Sequence, residues 1–210
     1  MIQVHSIELP RVGENTYALV NEHKEALLVD PGDQAEQIIA WISDQGWLPQ
    51  AVLLTHGHLD HIGALDAIRD HYQIEAYIHH TEAEFLTDPQ LNLSAYMGPK
   101  VIQRPAEHLW QTTGAKQVCG FEFEIRHVPG HSPGSVIYIF AEDRFVISGD
   151  TVFRSSIGRT DFPGGSLDQL LSHIRQEILT LPGDFRLYPG HGPATDVQSE
   201  QVGNPFLHNN

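Results

Sequence analysis

The 210-residue sequence predicts a layered α/β protein, with one sheet in each half and helices on its outer face. Three observations carry this expectation. Short β-type runs cluster in each half and look antiparallel. Helical spacing of apolar residues recurs between them, at 34–45, 61–72 and 166–179. No linker-like or low-complexity stretch divides the chain, so a single domain over 1–210 is expected.

In the first half, residues 2–9, 16–21 and 25–30 read as strands. Gly13-Glu14-Asn15 supplies the first turn, and Asp30-Pro31-Gly32 ends the third strand. Residues 34–45 carry Ile38, Ile39, Trp41 and Ile42 at helical spacing, and Gly46 closes them. Residues 51–55 form a short apolar strand. Residues 61–72 set Ile62, Leu65 and Ile68 on one helical face; 76–79 is the next strand and 81–86 a short helix. Residues 87–105 lack periodicity and hold three prolines, which predicts a long irregular connection bordering a site.

In the second half, 118–127, 135–140 and 144–148 read as strands, with Cys119 a small buried residue of the first. Ser166 caps a helix over 166–179 whose Leu167, Leu170, Leu171, Ile174 and Ile178 share a face. Residues 185–188 form a last buried strand. A tail follows, ending in Asn204-Pro205-Phe206-Leu207.

Twelve basic and 27 acidic residues give a formal net charge of −15. Such a chain suits neither a nucleic-acid backbone nor an anionic membrane, and it needs a local basic patch to hold an anionic substrate. One cysteine excludes an internal disulfide and cysteine-rich zinc sites. The start shows no basic stretch before an apolar core, and the longest apolar run, 136–141, is too short to cross a bilayer. The expected location is the cytoplasm.

The chemistry concentrates in Val52-Leu-Leu-Thr-His-Gly-His-Leu-Asp-His-Ile-Gly63. His56, His58, Asp60 and His61 fall within six positions, and imidazole and carboxylate are the usual donors for zinc, iron or manganese. In an extended turn His56 and His58 point to one side. Asp60 and His61 stand where the chain turns towards a helix and aim at a second point, so two metal positions are expected. Three further candidates share one grammar, an apolar strand followed by a turn and a polar residue: His131, Asp150 and His191. Loops at strand ends are held rigidly, and glycines beside these residues admit close backbone approach.

His56-Gly-His58-Leu-Asp60-His61, Pro129-Gly-His131-Ser-Pro-Gly134, Ser148-Gly-Asp150-Thr and Pro189-Gly-His191 together resemble the motif series of the metallo-β-lactamase superfamily. Their order and spacing are similar to its glyoxalase II-like, hydroxyacylglutathione hydrolase-like branch. The resemblance spans nearly the whole chain and implies a four-layer αβ/βα sandwich. It implies that His56, His58 and His131 hold one divalent metal, that Asp60, His61 and His191 hold another, and that Asp150 bridges them. Zinc is the first expectation, with iron and manganese as alternatives, and the expectation allows one position to stand empty. The implied activity is hydrolysis of a small-molecule thioester such as S-lactoylglutathione by a hydroxide held by the metals, with Asp60 orienting it. A thiolate leaves readily, its conjugate acid having a pKa of about 8.5. No nucleic-acid or membrane partner is implied.

Arg159, in the loop after Asp150, has two readings: it holds a substrate carboxylate by a bidentate contact, or it pairs with Asp161. Arg154 is a weaker second candidate. Asp30 either steers a metal-bound histidine or caps its turn. His79 and His80 read as structural or supporting.

The resemblance also has breaks. Full-length glyoxalase II enzymes carry a C-terminal helical region with basic residues for glutathione, which the sequence given lacks. They have a lysine and a tyrosine after the bridging aspartate, where this chain has Arg159 and no tyrosine. A Gly-Arg-Thr-Asp-Phe-Pro loop and the terminal Asn-Pro-Phe-Leu are instead similar to a short bacterial branch. Gly158-Arg-Thr-Asp-Phe162 also resembles persulfide dioxygenases of the same superfamily. In that alternative a single iron would sit on His56, His131 and Asp150.

Overall fold

The structure, a computed structural model, describes residues 1–208. The chain forms two compact units, Met1–Gln111 and Thr112–Asn210, each with its own six-stranded sheet and apolar core.

The first unit runs β1 (Gln3–Leu9), β2 (Glu14–Val20), β3 (Glu25–Val29), α1 (Ala35–Gln45), β4 (Leu48–Leu53), α2 (Leu59–Ile62), α3 (Leu65–Tyr72) and β5 (Glu75–His79). A 3-10 turn (His80–Leu86), α4 (Ser94–Met97) and β6 (His108–Trp110) complete it. Strands lie in sequence order, β1 to β3 antiparallel and β3 to β6 parallel. The expectation of antiparallel strands therefore fails for half of this sheet. The reason is the connections: α1, α3 and the long 80–107 stretch each return the chain to the same end before the next strand. Ile38, Ile42, Leu65 and Ile68 from the helices meet Leu28, Val52 and Ile78 from the strands in one cluster.

Two local departures shape the site. Gly13 makes the first turn at φ 68, but Glu14 and Asn15 already belong to β2, with Glu14 fully buried. The helix expected at 61–72 is broken at Gly63-Ala64. There a Cβ on Gly63 would lie 2.2 Å from the Gly32 carbonyl oxygen, and Ala64 N–H donates to the Pro31 carbonyl at 3.0 Å. A helix cannot run on through so close a crossing of backbones. Gly32 in turn leaves no room for a Cβ, which would stand 1.9 Å from the Asp60 carbonyl oxygen.

The second unit runs β7 (Gly114–Val118), β8 (Phe121–His127), β9 (Val136–Phe140), β10 (Phe145–Gly149), a ribbon of β11 (Val152–Phe153) and β12 (Ser156–Ile157), and α5 (Leu167–His173). A π-helical turn (Ile174–Ile178), β13 (Arg186–Pro189), β14 (Thr195–Asp196) and α6 (Val197–Gly203) follow. Its sheet order is β14-β13-β10-β9-β8-β7, and β10 and β13 are parallel. The strand expected at 118–127 is β8 from Phe121 onward, and its start is the turn of the β7–β8 hairpin. Cys119 and Gly120 form its turn at φ 48 and 84, so Cys119 is exposed rather than buried. Two successive positive φ values match the twist of a tight hairpin. Ser166 caps α5 as expected, accepting from Gln169 N–H. The tail carries β14 and α6, and Leu207 sits in the apolar cluster with Leu170, Ile174 and Val197. Among the described residues no helix is long and apolar enough to cross a membrane.

Candidate metal centre

In both units part of the candidate site follows the carboxyl ends of parallel neighbours, where an open sheet leaves room for a ligand. In the first unit these are β3, followed by Asp30, and β4, leading to His56. In the second they are β10, followed by Asp150, and β13, leading to His191.

The segment 54–61 has no strand partner along most of its length, so its N–H groups need other acceptors. Thr55 N–H donates to Asp30 Oδ1 at 2.7 Å, Gly57 N–H to Glu82 Oε2 at 2.5 Å, and Leu59 N–H to the Asn92 carbonyl at 2.9 Å. Every second N–H is thus held from outside, and the side chains between them are His56 and His58. Gly57 is fixed by space: a Cβ there would lie 2.5 Å from Phe85 Cβ. The irregular connection at 87–105 does border the donor segment, through Asn92. Asn92 is itself held by its side-chain amide, which donates to the Phe85 and Val101 carbonyls.

Asp30 takes the first of its two readings. Its Oδ2 accepts from Thr55 Oγ1 at 2.6 Å and lies 2.9 Å from His61 Nδ1. A carboxylate only accepts, so His61 carries its proton on Nδ1 and its lone pair on Nε2. The Thr55 hydroxyl gives its one proton to Asp30 and so accepts from His56 Nδ1 at 3.1 Å. His56 too is then left with its lone pair on Nε2. The rings of His56 and His61 lie 4.1 Å apart and those of His56 and His58 4.7 Å apart. Asp30, His56 and His61 offer ligand atoms within 4.8 Å of one another. Imidazoles this close, with Nδ1 of His56 and His61 held by outer partners, suit a cation at Nε2.

Glu14, assigned by sequence to a turn, lies beneath this group. Burial raises its carboxyl well above the ordinary value, Asp30 and Asp60 add to the rise, and His61 and Thr16 oppose it. Thr16 Oγ1 lies 2.8 Å from the Asp30 carbonyl oxygen and 3.0 Å from Glu14 Oε2. Its single proton serves the carbonyl when a protonated Glu14 donates back to it.

In the second unit Asp150 Oδ2 lies 3.6 Å from His131 Nε2 and 3.5 Å from His191 Nε2. Both separations are long for a hydrogen bond. They are near the roughly 3.3–3.4 Å between two ligands that each stand 2.0–2.1 Å from a tetrahedral ion. His131 Nδ1 donates to the Arg159 carbonyl at 2.7 Å, which again leaves Nε2 as the donor to a metal. Gly158 lets the chain pass: a Cβ there would lie 1.9 Å from the Asp150 carbonyl oxygen and 3.2 Å from His131 Nδ1. Gly130, at φ 137, similarly admits the backbone of Leu170.

Arg159 forms a bidentate pair with Asp161, both contacts at 2.7 Å, and its guanidinium stacks 3.9 Å over the Phe162 ring. This contact holds the Asp161 carboxyl down at about 2. Arg154 donates to the Ala194 carbonyl at 2.5 Å. His79 Nδ1 accepts from Thr81 N–H and starts the 3-10 turn that carries Glu82. Glu82 escapes sequence reasoning because it lies at no fixed spacing from the segment it supports, and Thr55, directly before His56, reads only as the end of the apolar strand.

A family model described as the metallo-β-lactamase superfamily matches residues 9–191. The chain belongs to this superfamily and has its fold. Among its relatives is a protein named probable metallo-hydrolase YqgX of Bacillus subtilis, 44% identical over 92% of each chain. Another, hydroxyacylglutathione hydrolase GloC of Haemophilus influenzae, is 34% identical over 98% of each. The crystal structure of BLEG-1 B3 metallo-beta-lactamase has a TM-score of 0.96 and 42% identity, covering 99% of this chain and all of its own. That of TTHA1623 in a di-iron-bound form has a TM-score of 0.85 and 33% identity, covering 97% and 100%. The chain is a metallo-hydrolase of this superfamily.

Proposed function

We propose that this protein hydrolyses small-molecule thioesters of the S-lactoylglutathione type, using two divalent metals. His56, His58 and His131 would hold one, Asp60, His61 and His191 the other, and Asp150 would serve both. The observation that supports this most is the full set of seven donors, with three imidazole tautomers fixed for ligation by Asp30, Thr55 and the Arg159 carbonyl. The hydroxyacylglutathione hydrolase named above, similar over 98% of both chains, supports the thioester reading.

Metals held there would supply Lewis acidity and lower the pKa of a bound water. Histidine and aspartate donors suit zinc, iron and manganese alike, and the similar di-iron-bound structure keeps iron alongside zinc. The protein's own share is placement. Asp60, half-buried in α2, would accept the proton of the attacking water and orient it. Arg159 would meet a substrate carboxylate only by exchanging it for Asp161. A thioester needs little acid help to expel its thiolate, which fits a site with no general acid assigned.

The test is an assay panel on metal-analysed protein. It offers S-lactoylglutathione, simpler acyl thioesters, a β-lactam because of the similar B3 structure, and glutathione persulfide with oxygen monitored. Thioester cleavage without oxygen uptake, faster than any β-lactam turnover, is the expected result. Oxygen consumption with persulfide and no thioester cleavage would replace this reading with the mono-iron alternative on His56, His131 and Asp150.

A further inference from the structure

The second unit holds two features that hydrolysis leaves unused: the buried Glu200 of α6 and the Asn204-Pro-Phe-Leu run that follows it. They form one construction. Asn204 Nδ2 donates to the Ser156 carbonyl at 2.9 Å and to Glu200 Oε2 at 2.8 Å. Glu200 Oε2 also accepts Ser155 N–H at 3.0 Å, and its Oε1 accepts the Thr195 hydroxyl at 2.6 Å. Asn204 Oδ1 accepts Phe206 N–H at 3.0 Å, which turns the tail so that Leu207 enters the apolar cluster.

Ser155 lies in the two-residue turn of the β11–β12 ribbon, and Ser156 begins β12. Two residues per strand cannot hold a ribbon unaided. Its order comes from these bonds, of which the charge-assisted ones to Glu200 are the stronger. The ribbon leads directly into Gly158, whose N–H donates to the Thr151 carbonyl at 3.2 Å and which has no room for a Cβ beside Asp150. The next carbonyl, that of Arg159, is the acceptor for His131 Nδ1.

We propose that Glu200 and Asn204 are positioning residues, a clasp that fixes the 151–159 segment and thereby the orientation and tautomer of His131. The proposal rests on the reading that His131 and Asp150 hold metal. It gives the terminal motif a task beyond closing the apolar core: with the clasp open, the Arg159 carbonyl drifts and His131 presents its ligand atom less often.

The experiment titrates cobalt(II) into the metal-free full chain. It reads affinity by chelator competition and geometry by the visible spectrum. Asn204→Ala and the milder Asn204→Ser are expected to bind cobalt about 10–100-fold more weakly, with an altered visible band. Glu200→Ala should behave likewise, and Glu200→Gln, which keeps the acceptor for Ser155 and Asn204, should return most of the affinity. Leu207→Ala is the control. It removes apolar packing from the same tail, so it should lower Tm while leaving affinity and spectrum at parent values. Parent-like cobalt binding by both Asn204 variants, or an equal loss in Leu207→Ala, would overturn the clasp. His131→Ala separates the two layers. If it binds cobalt as the parent does, the metal reading fails. If it binds poorly while Asn204→Ala binds well, only the clasp fails.

Discussion

The two units prepare their donors in opposite ways. The first gathers His56, His58, Asp60 and His61 on one segment without strand partners and braces it with side chains, Asp30 and Glu82. The second takes His131, Asp150 and His191 from three separate places, two of them directly after strands of one sheet. There the strands fix the backbone, and the brace is a main-chain carbonyl, that of Arg159, on a loop that returns over the donors. The contrast teaches where vulnerability lies. A contiguous donor run depends on buried carboxylates that a single substitution removes. A dispersed set depends on the path of a loop.

The largest expected effects test whether both halves are needed at all. His56→Ala and Asp150→Ala should each abolish thioester hydrolysis in steady-state assays, with the fold retained by circular dichroism. Retained turnover in either would show that one unit suffices, and the comparison would collapse.

Next, Asp30→Asn should weaken metal binding by about 10–100-fold, because an amide cannot accept from Thr55 N–H, the Thr55 hydroxyl and His61 Nδ1 together. Glu82→Gln should cost less, since Gln still accepts from Gly57 N–H. Chelator competition ranks them. A larger loss for Glu82→Gln would mean that backbone placement outweighs tautomer control in the first unit.

A smaller effect is on stability. The Glu14 carboxyl is raised in the folded protein chiefly by burial. Below the unfolded value, near 4.5, both states hold the proton and the contribution is whole. As pH rises towards the folded value, the unfolded chain ionises first and stability is lost. Glu14→Gln cannot ionise, so the metal-free variant should melt higher than the parent at neutral pH and gain nothing below pH 4.5. Equal melting curves at both pH values would remove Glu14 from the account.

Smallest is the exposed pair in the second unit. Asp161 is depressed to about 2 by its hydrogen bond to Arg159, so its contribution is complete above 3.8 and lost as pH falls towards 2. Asp161→Asn should flatten that slope only slightly, because the pair is solvent-screened. The same variant frees Arg159, so its KM for an anionic thioester should fall relative to a neutral one. An unchanged ratio would count against Arg159 as the substrate's anchor.

The candidate donors stand out in the sequence because His56, His131, Asp150 and His191 each follow an apolar strand, and His58, Asp60 and His61 crowd just after His56. The parallel half of the first sheet was illegible, since strand composition carries no direction; only the crossovers at 35–45 and 65–72 impose it. Glu14 reads as a turn residue because Gly13 precedes it, and nothing local shows that a carboxyl there is buried near Asp30. Cys119 reads as part of a strand because the hairpin turn lacks the usual Asn or Asp. The braces stayed hidden for a common reason: Glu82 reaches Gly57 across 25 residues and Glu200 reaches Ser155 across 45, distances that only folding closes.

The most direct test is a metal count. Parent, His56→Ala and Asp150→Ala proteins are equilibrated with excess zinc, desalted and analysed for zinc per chain. Two equivalents in the parent and a loss in both variants are expected if the proposed ligand sets hold. Two equivalents retained after Asp150→Ala, or none in the parent, would contradict the account at its root.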